Sequence, residues 1–217
     1  MTRRTTDLSR RLQDRLTTTD RLLVVVAGPN GAGKSMLVDT FLRPTGIHVI
    51  NPDQIARALA PDDPGTMAYE AAQAADSVRH DLVTRGVSFC METVFSDPDG
   101  TKVAFLRNAR RERGYAVLLV FIGLDTDELA VARVIERVEA GGHDVPDDKI
   151  RSRFPRTLRN LSEALRFVDH AFVFDNSSAK EPFRFVAELD SGALVRRGRC
   201  RPTWAQPVLQ GLTHRRR

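Results

Sequence analysis

The sequence predicts a three-layer α/β/α fold with a mostly parallel central sheet and a helical lid, and three observations carry that expectation. Short apolar runs alternate with stretches of helical period along most of the 217 residues, the pattern of strand–helix–strand crossovers. The first such run, Leu22 to Ala27, is apolar throughout, as a central parallel strand buried on both faces must be. It leads into Gly28-Pro29-Asn30-Gly31-Ala32-Gly33-Lys34-Ser35, a G-x-x-x-x-G-K-S loop followed by a run able to form a helix, Met36 to Leu42. Successive N–H groups of such a loop face a phosphate chain, and the helix adds its positive N-terminal end. Lys34 would reach the β- and γ-phosphates and the Ser35 hydroxyl would ligate Mg²⁺. The expected architecture is that of a P-loop NTPase.

The chain in order supports this. Leu8, Leu12 and Leu16 recur every four residues and predict a short amphipathic helix within a polar N-terminal segment, 1–20. A kinase-sized domain over 21–200 follows, then a basic C-terminal tail, 201–217. After the phosphate loop, His48 to Ile50 is a second strand ending in Asn51-Pro52-Asp53. Helices are expected over Gln54 to Leu59 and Met67 to Arg85, broken at Pro61-Asp62-Asp63-Pro64-Gly65. Ser88 to Glu92 is the third strand, running into Thr93-Val94-Phe95-Ser96. A helix over Thr101 to Arg113 precedes the most apolar strand, Tyr115 to Ile122. Thr126 is a good N-cap, with Asp127 and Glu128 in the first turn of the next helix, and Gly141-Gly142 stops it. A long helical pattern runs from Asp147 to Val168, with period intact across Pro155. Ala171 to Asp175 is the fifth strand, and Phe183 to Leu189 with Ala193 to Arg197 form a closing hairpin.

Composition excludes several classes. No apolar run approaches 18 residues, so no membrane span is expected, and the polar start lacks the apolar stretch of a signal peptide. Cys90 and Cys200 have neither C-x-x-C nor His-paired spacing, which suits a reducing cytoplasm. The pI near 9.7 comes almost wholly from arginine. Seven arginines and no acid lie between Gly192 and Arg217, but without aromatic interleaving beyond Trp204 they describe a solvated tail better than a nucleic-acid surface. N-K-x-D and L-S-G-G-Q are absent, which removes the GTPase and ABC-type readings. A small ATP-dependent kinase remains, one that positions two substrates and neutralises phosphate charge. A nucleotide-gated binding protein that transfers nothing is the alternative.

In open α/β sheets ligands lie beyond the carboxyl ends of the strands. The polar residues at those ends are Asp53, Glu92 with Thr93, and Asp175 with Asn176. Asp53 is the candidate general base, or else the N-cap of the helix it opens. Glu92 would hold Mg²⁺ through water or bind an acceptor hydroxyl, or else be buried on a backbone partner. Asp175-Asn176 reads more simply as a strand end than as an adenine pocket. The lid is expected at about 133–160. On its first helix Val131, Val134, Ile135 and Val138 form the apolar stripe. Arg133 and Arg137 then stand opposite, reaching the cleft or pairing with Glu136 and Glu139. On the second, Ile150, Phe154, Leu158, Leu161, Leu165 and Val168 share a face, with Arg153 and Asn160 along one edge and Arg151 along the other.

Gly28–Ser35, Asn51-Pro52-Asp53, Glu92-Thr93-Val94-Phe95-Ser96, the Arg137 to Pro146 segment and Arg153 through Leu161 together resemble the zeta toxin family of P-loop kinases, in particular its short bacterial members. The resemblance implies ATP/Mg²⁺-dependent phosphorylation of a sugar hydroxyl on UDP-N-acetylglucosamine, and a small helical antitoxin as protein partner. By motif, Lys34 and Ser35 match the phosphate and metal positions, Asp53 the base, Glu92 and Thr93 the acceptor-sugar pair, and Arg137 the first lid arginine. Gly142-His143 stands near the place of the second, so Arg153 or Arg151 substitutes for it. The large C-terminal region of the longest family members has no counterpart.

Overall fold

The computed structural model describes residues 14, 19–142 and 144–214, so the proposed helix around Leu8–Leu16 lies outside the described residues, as does His143. Seven strands form one sheet in the order β2-β3-β1-β4-β5-β6-β7. They are β1 (Leu22–Ala27), β2 (His48–Ile50), β3 (Phe89–Thr93), β4 (Ala116–Gly123), β5 (His170–Asp175), β6 (Arg184–Asp190) and β7 (Ala193–Arg197). The first five run parallel, and β6 and β7 close the sheet antiparallel, as the hairpin pattern around Asp190-Ser191-Gly192 predicts. β1 sits centrally between β3 and β4, in register Ala27 opposite Thr93 and Phe121. Its side chains are fully buried on both faces, which explains the absence of any polar residue in it.

Helices α1 (Lys34–Leu37), α2 (Pro52–Leu59), α3 (Ala68–Arg85), α4 (Thr101–Arg113), α5 (Asp127–Glu139), α6 (Asp147–Ala164) and α7 (Ala205–Leu209) complete the layers. One core packs Leu22, Val24 and Val26 against Leu37 and Val38 below α1 and against Val131 and Val134 of α5. The opposite core packs Leu23, Val25 and Met91 against α4 and the end of α6. α6 contributes to both, through Ile150 to the first and Leu161 and Ala164 to the second. It therefore crosses the sheet at the carboxyl ends of the strands, and Pro155 lies inside it without ending it.

Three expectations change. The helix after the phosphate loop is α-helical only to Leu37, then widens to a π-turn over Val38–Leu42 and tightens over Arg43–Thr45. Pro44 offers no N–H to the carbonyl four residues back, so a regular helix cannot continue. On α5 the buried stripe is Ala130, Val131 and Val134, while Ile135 is 49% exposed and Val138 also faces out. Finally, the stretch 202–209 at the start of the expected tail is not solvated. Trp204 is 5% exposed and packs on Phe121, with Ala205, Val208 and Leu209 buried behind it. Gly123 at the end of β4 makes room for it: a Cβ there would stand 2.1 Å from the indole.

Candidate active site

The phosphate loop is held from three sides. Gly33, in the left-handed region at φ 90°, caps α1, and a Cβ on it would meet the Asn176 amide at 2.9 Å. That amide comes from the end of β5 and donates to Ala32 O at 2.9 Å, while its Oδ1 accepts from the Phe183 N–H. Gly28 lies against the Ile122 carbonyl of β4, and Gly31 against Ala130 and Arg133 of α5. Lys34 Nζ donates to Pro29 O at 2.8 Å. Asn30 is buried, and among the described residues its Oδ1 has no partner, an orphan inside the loop that a ligand or water can satisfy.

Glu92, at the end of β3, is the hub beside the loop. Its Oε1 accepts from Ser35 Oγ at 2.7 Å and its Oε2 from Asn51 Nδ2 at 2.8 Å. Asn51 Oδ1 in turn accepts from the Asp53 N–H at 2.9 Å, so Asn51 is the N-cap of α2, Pro52 takes the first helical position and Asp53 the second. Asp53 is thus not the cap; its carboxylate is exposed and lines the cleft. Thr93 is buried, and its Oγ1 accepts from the Phe95 N–H at 3.0 Å. Phe95 itself has φ 62°, an uncommon conformation for a bulky residue. It is secured by Asn160 of α6, whose amide donates to the carbonyls of Phe95 and Asp97, and by Thr157, whose hydroxyl donates to Val94 O.

Because α6 crosses the strand ends, it also brings Arg153 into the cleft with Arg133 and Arg137 of α5. Arg151, two residues away, points elsewhere and pairs with Asp127 and Glu128 in the first turn of α5 at 3.2 and 3.3 Å. Burial lowers the Lys34 ammonium below the ordinary lysine value; Glu92 and Asp53 oppose that, and Arg137 and Arg153 add to it. Burial likewise lowers Arg153, with Asp53 opposing. Base candidate, loop lysine, carboxylate hub and two lid arginines therefore act on one another within one cleft of about 1350 Å³. Asp175 is fully buried, bonded to Trp204, Arg184 and Ser177, and belongs to the scaffold.

Sequence reasoning assigned no work to Asn51 or to the Asn176 clamp. The first was available as an Asn-Pro pair, the N-cap and first position of a helix. The second links residues 144 apart and had no local signal. Arg57, Lys102 and Lys149 also line the cleft without having been singled out.

A parallel sheet with its phosphate loop at the end of a central strand, a Ser–Glu pair beside it and arginines arching over from a helical lid define a P-loop kinase. The chain belongs to the Zeta toxin family, whose pattern it matches over residues 8–184. An uncharacterized protein of Haemophilus influenzae is 30% identical over 131 residues, 60% of this chain and 91% of that protein. Among solved structures, the fold is similar to that of the PezAT chromosomal toxin–antitoxin system of Streptococcus pneumoniae. The TM-score is 0.56 at 17% identity, covering 98% of this chain and 88% of that one. It is also similar to the AvrRxo1-ORF1:AvrRxo1-ORF2 complex with sulphate ions, at TM-score 0.57 and 16% identity over 87% of this chain and 68% of that one. That complex has been solved with ATP as well.

Proposed function

We propose that this chain is an ATP- and Mg²⁺-dependent kinase that phosphorylates a sugar hydroxyl, with UDP-N-acetylglucosamine as the acceptor the family resemblance favours. The observation that carries the reading is the meeting of Asp53, Lys34, Glu92, Arg137 and Arg153 around one cleft. The loop N–H groups and Lys34 bind the polyphosphate, and ATP is supported by the structural relative solved with it. Mg²⁺ fits the donor chemistry: the Ser35 hydroxyl and Glu92 carboxylate are hard oxygen donors side by side. They would hold the ion, which when bound supplies charge neutralisation at the phosphates.

Asp53 accepts the proton of the attacking hydroxyl as its oxygen bonds to the γ-phosphorus and the bond to the β-phosphate oxygen breaks. Arg137 and Arg153 neutralise the charge that gathers on the moving phosphoryl group. Thr93, whose oxygen already accepts from Phe95, keeps its O–H to donate to the acceptor. The cleft is open to solvent-borne substrates, and among the described residues no helix is long and apolar enough to cross a membrane. A cytoplasmic site of action and an antitoxin partner follow from the same reading; the toxin–antitoxin relative supports the latter.

The test is incubation with ATP, Mg²⁺ and a panel of UDP-sugars, with mass spectrometry for one added phosphate. Gain on UDP-N-acetylglucosamine supports the full reading. Gain only on another small alcohol keeps the kinase and replaces the acceptor. Asp53→Asn should lose turnover while binding ATP as before; turnover retained in that variant would remove Asp53 as the base, and a wild type that binds ATP but transfers phosphate to no acceptor would be a nucleotide-gated binding protein.

A further inference from the structure

Asn51 is buried, 6% exposed, and both ends of its amide are engaged with groups that can bond in only one sense. The Asp53 N–H can only donate, and it takes Oδ1 at 2.9 Å; the Glu92 carboxylate accepts, and it takes Nδ2 at 2.8 Å. This settles the orientation of the amide. It also explains the residue type, because aspartate there would turn an oxygen toward Glu92 and serine would fall short of it.

From this geometry we infer that Asn51 is a positioning residue that couples the base to the metal-binding pair. Through its carbonyl it sets the first turn of α2, which carries Asp53. Through its N–H₂ it fixes the plane of Glu92, so that the other carboxylate oxygen meets Ser35 at 2.7 Å. One side chain thereby sets three groups relative to one another, the hydroxyl and carboxylate of the Mg²⁺ site and the proton acceptor. They come from α1, β3 and α2, and the bonds of Asn51 and Glu92 tie these three elements together at this point. The inference rests on the kinase reading above.

The experiment is a double-mutant cycle of Asn51→Ser and Glu92→Gln. Serine keeps an oxygen for the helix cap, so the start of α2 and the thermal midpoint should survive. Two quantities are measured for each protein: kcat and KM for phosphate transfer to UDP-N-acetylglucosamine, and the Mg²⁺-dependent gain in affinity for a fluorescent ATP analogue. Asn51→Ser should lower kcat about 10- to 100-fold with KM for ATP little changed, as misplacement of reacting groups does. It should shrink the Mg²⁺-dependent gain, and it should have no further effect once Glu92 is glutamine, because the two act as one unit. Wild-type values for Asn51→Ser, or losses that simply add to those of Glu92→Gln, overturn the inference. If the wild type phosphorylates neither a sugar nucleotide nor another small alcohol, the kinase reading falls separately, and the binding half of the cycle still decides the role of Asn51.

Discussion

Two buried carboxylates sit at the carboxyl ends of parallel strands, one on either side of the β1–β4 pair, and they are used in opposite ways. Asp175, ending β5, is saturated by strong donors: the Arg184 guanidinium, the Trp204 indole at 2.9 Å and the Ser177 hydroxyl at 2.8 Å. Burial pushes its carboxyl up, but the hydrogen bonds from Trp204, Arg184 and Ser177 together outweigh that and hold it below the ordinary aspartate value. Glu92, ending β3, receives only neutral donors through its hydrogen bonds, a hydroxyl and an amide, and faces the cleft. A carboxylate whose charge is answered inside the fold ties elements together, here β5, β6 and the C-terminal segment. One whose charge is left for the cleft can serve a cation and the phosphates it accompanies. Strand position is shared, so the partners decide the use.

The sharpest way to break this comparison is to neutralise each carboxylate in turn. Glu92→Gln should lower turnover about 10²- to 10³-fold, as loss of an electrostatic group at the reacting centre does, while the thermal midpoint stays close to that of the wild type. Asp175→Asn should do the reverse. Removing the partner of Arg184 is expected to destabilise the fold by about 3 kcal/mol, the low end for a buried pair because the guanidinium is about one-third exposed. Activity should follow the folded fraction, measured by chemical denaturation alongside kcat. A stable but inactive Asp175→Asn would overturn the division of roles.

The two arginines of α6 sharpen the contrast at shorter range. Arg153 shares the cleft with Asp53, whereas Arg151 is spent on Asp127 and Glu128 at the surface. Arg153→Ala should reduce kcat about 10²-fold. Arg151→Ala should leave kcat alone and cost less than about 1 kcal/mol in stability, as solvent-exposed ion pairs do. Equal losses of turnover would mean that the lid turns in the closed complex.

What the sequence disclosed follows the same local-versus-distant line. The strand–loop–helix around Lys34 was legible because phosphate binding needs glycines, a lysine and a hydroxyl at adjacent positions, and the all-apolar run Leu22–Ala27 announced a central strand. The choice between Arg153 and Arg151 was not, since both flank the apolar stripe and only the passage of α6 between two cores turns one of them inward. The role of Trp204 was hidden by seven arginines that drew attention to charge. The apolar spacing Trp204, Ala205, Val208 and Leu209 was the signal that one helix turn docks there. Asp53 and Glu92 were visible as strand-end carboxylates, but the amide that joins them was not, because a bond between Asn51 and Glu92 spans 41 residues.

Acidification separates the two carboxylates again, with a smaller effect. Because Asp175 is depressed in the folded chain, its contribution is present in full above the unfolded value of about 3.9 and is lost as pH falls through the lower folded one. The thermal midpoint of the wild type should therefore drop more steeply below pH 4 than that of Asp175→Asn, which has no such group to protonate. Parallel curves would show that Asp175 is not what the hydrogen bonds hold in its charged form.

A small effect is also the most discriminating, because two serines make nearly the same bond. Ser177 Oγ donates to Asp175 at 2.8 Å and Ser35 Oγ donates to Glu92 at 2.7 Å. Judged by geometry alone, alanine at either place removes one hydroxyl from one carboxylate. At Ser177 the carboxylate keeps Arg184 and Trp204, and the hydroxyl also accepts from the Asp125 N–H at 2.9 Å in an exposed turn that water can reach. Ser177→Ala should therefore cost about 1 kcal/mol in denaturation, the net worth of one hydrogen bond, with kcat per folded molecule unchanged. A loss of turnover in Ser177→Ala larger than its loss of folded protein would place the β5 carboxylate in the chemistry. The use of a strand-end acid would then no longer be decided by whether its charge is answered inside the fold.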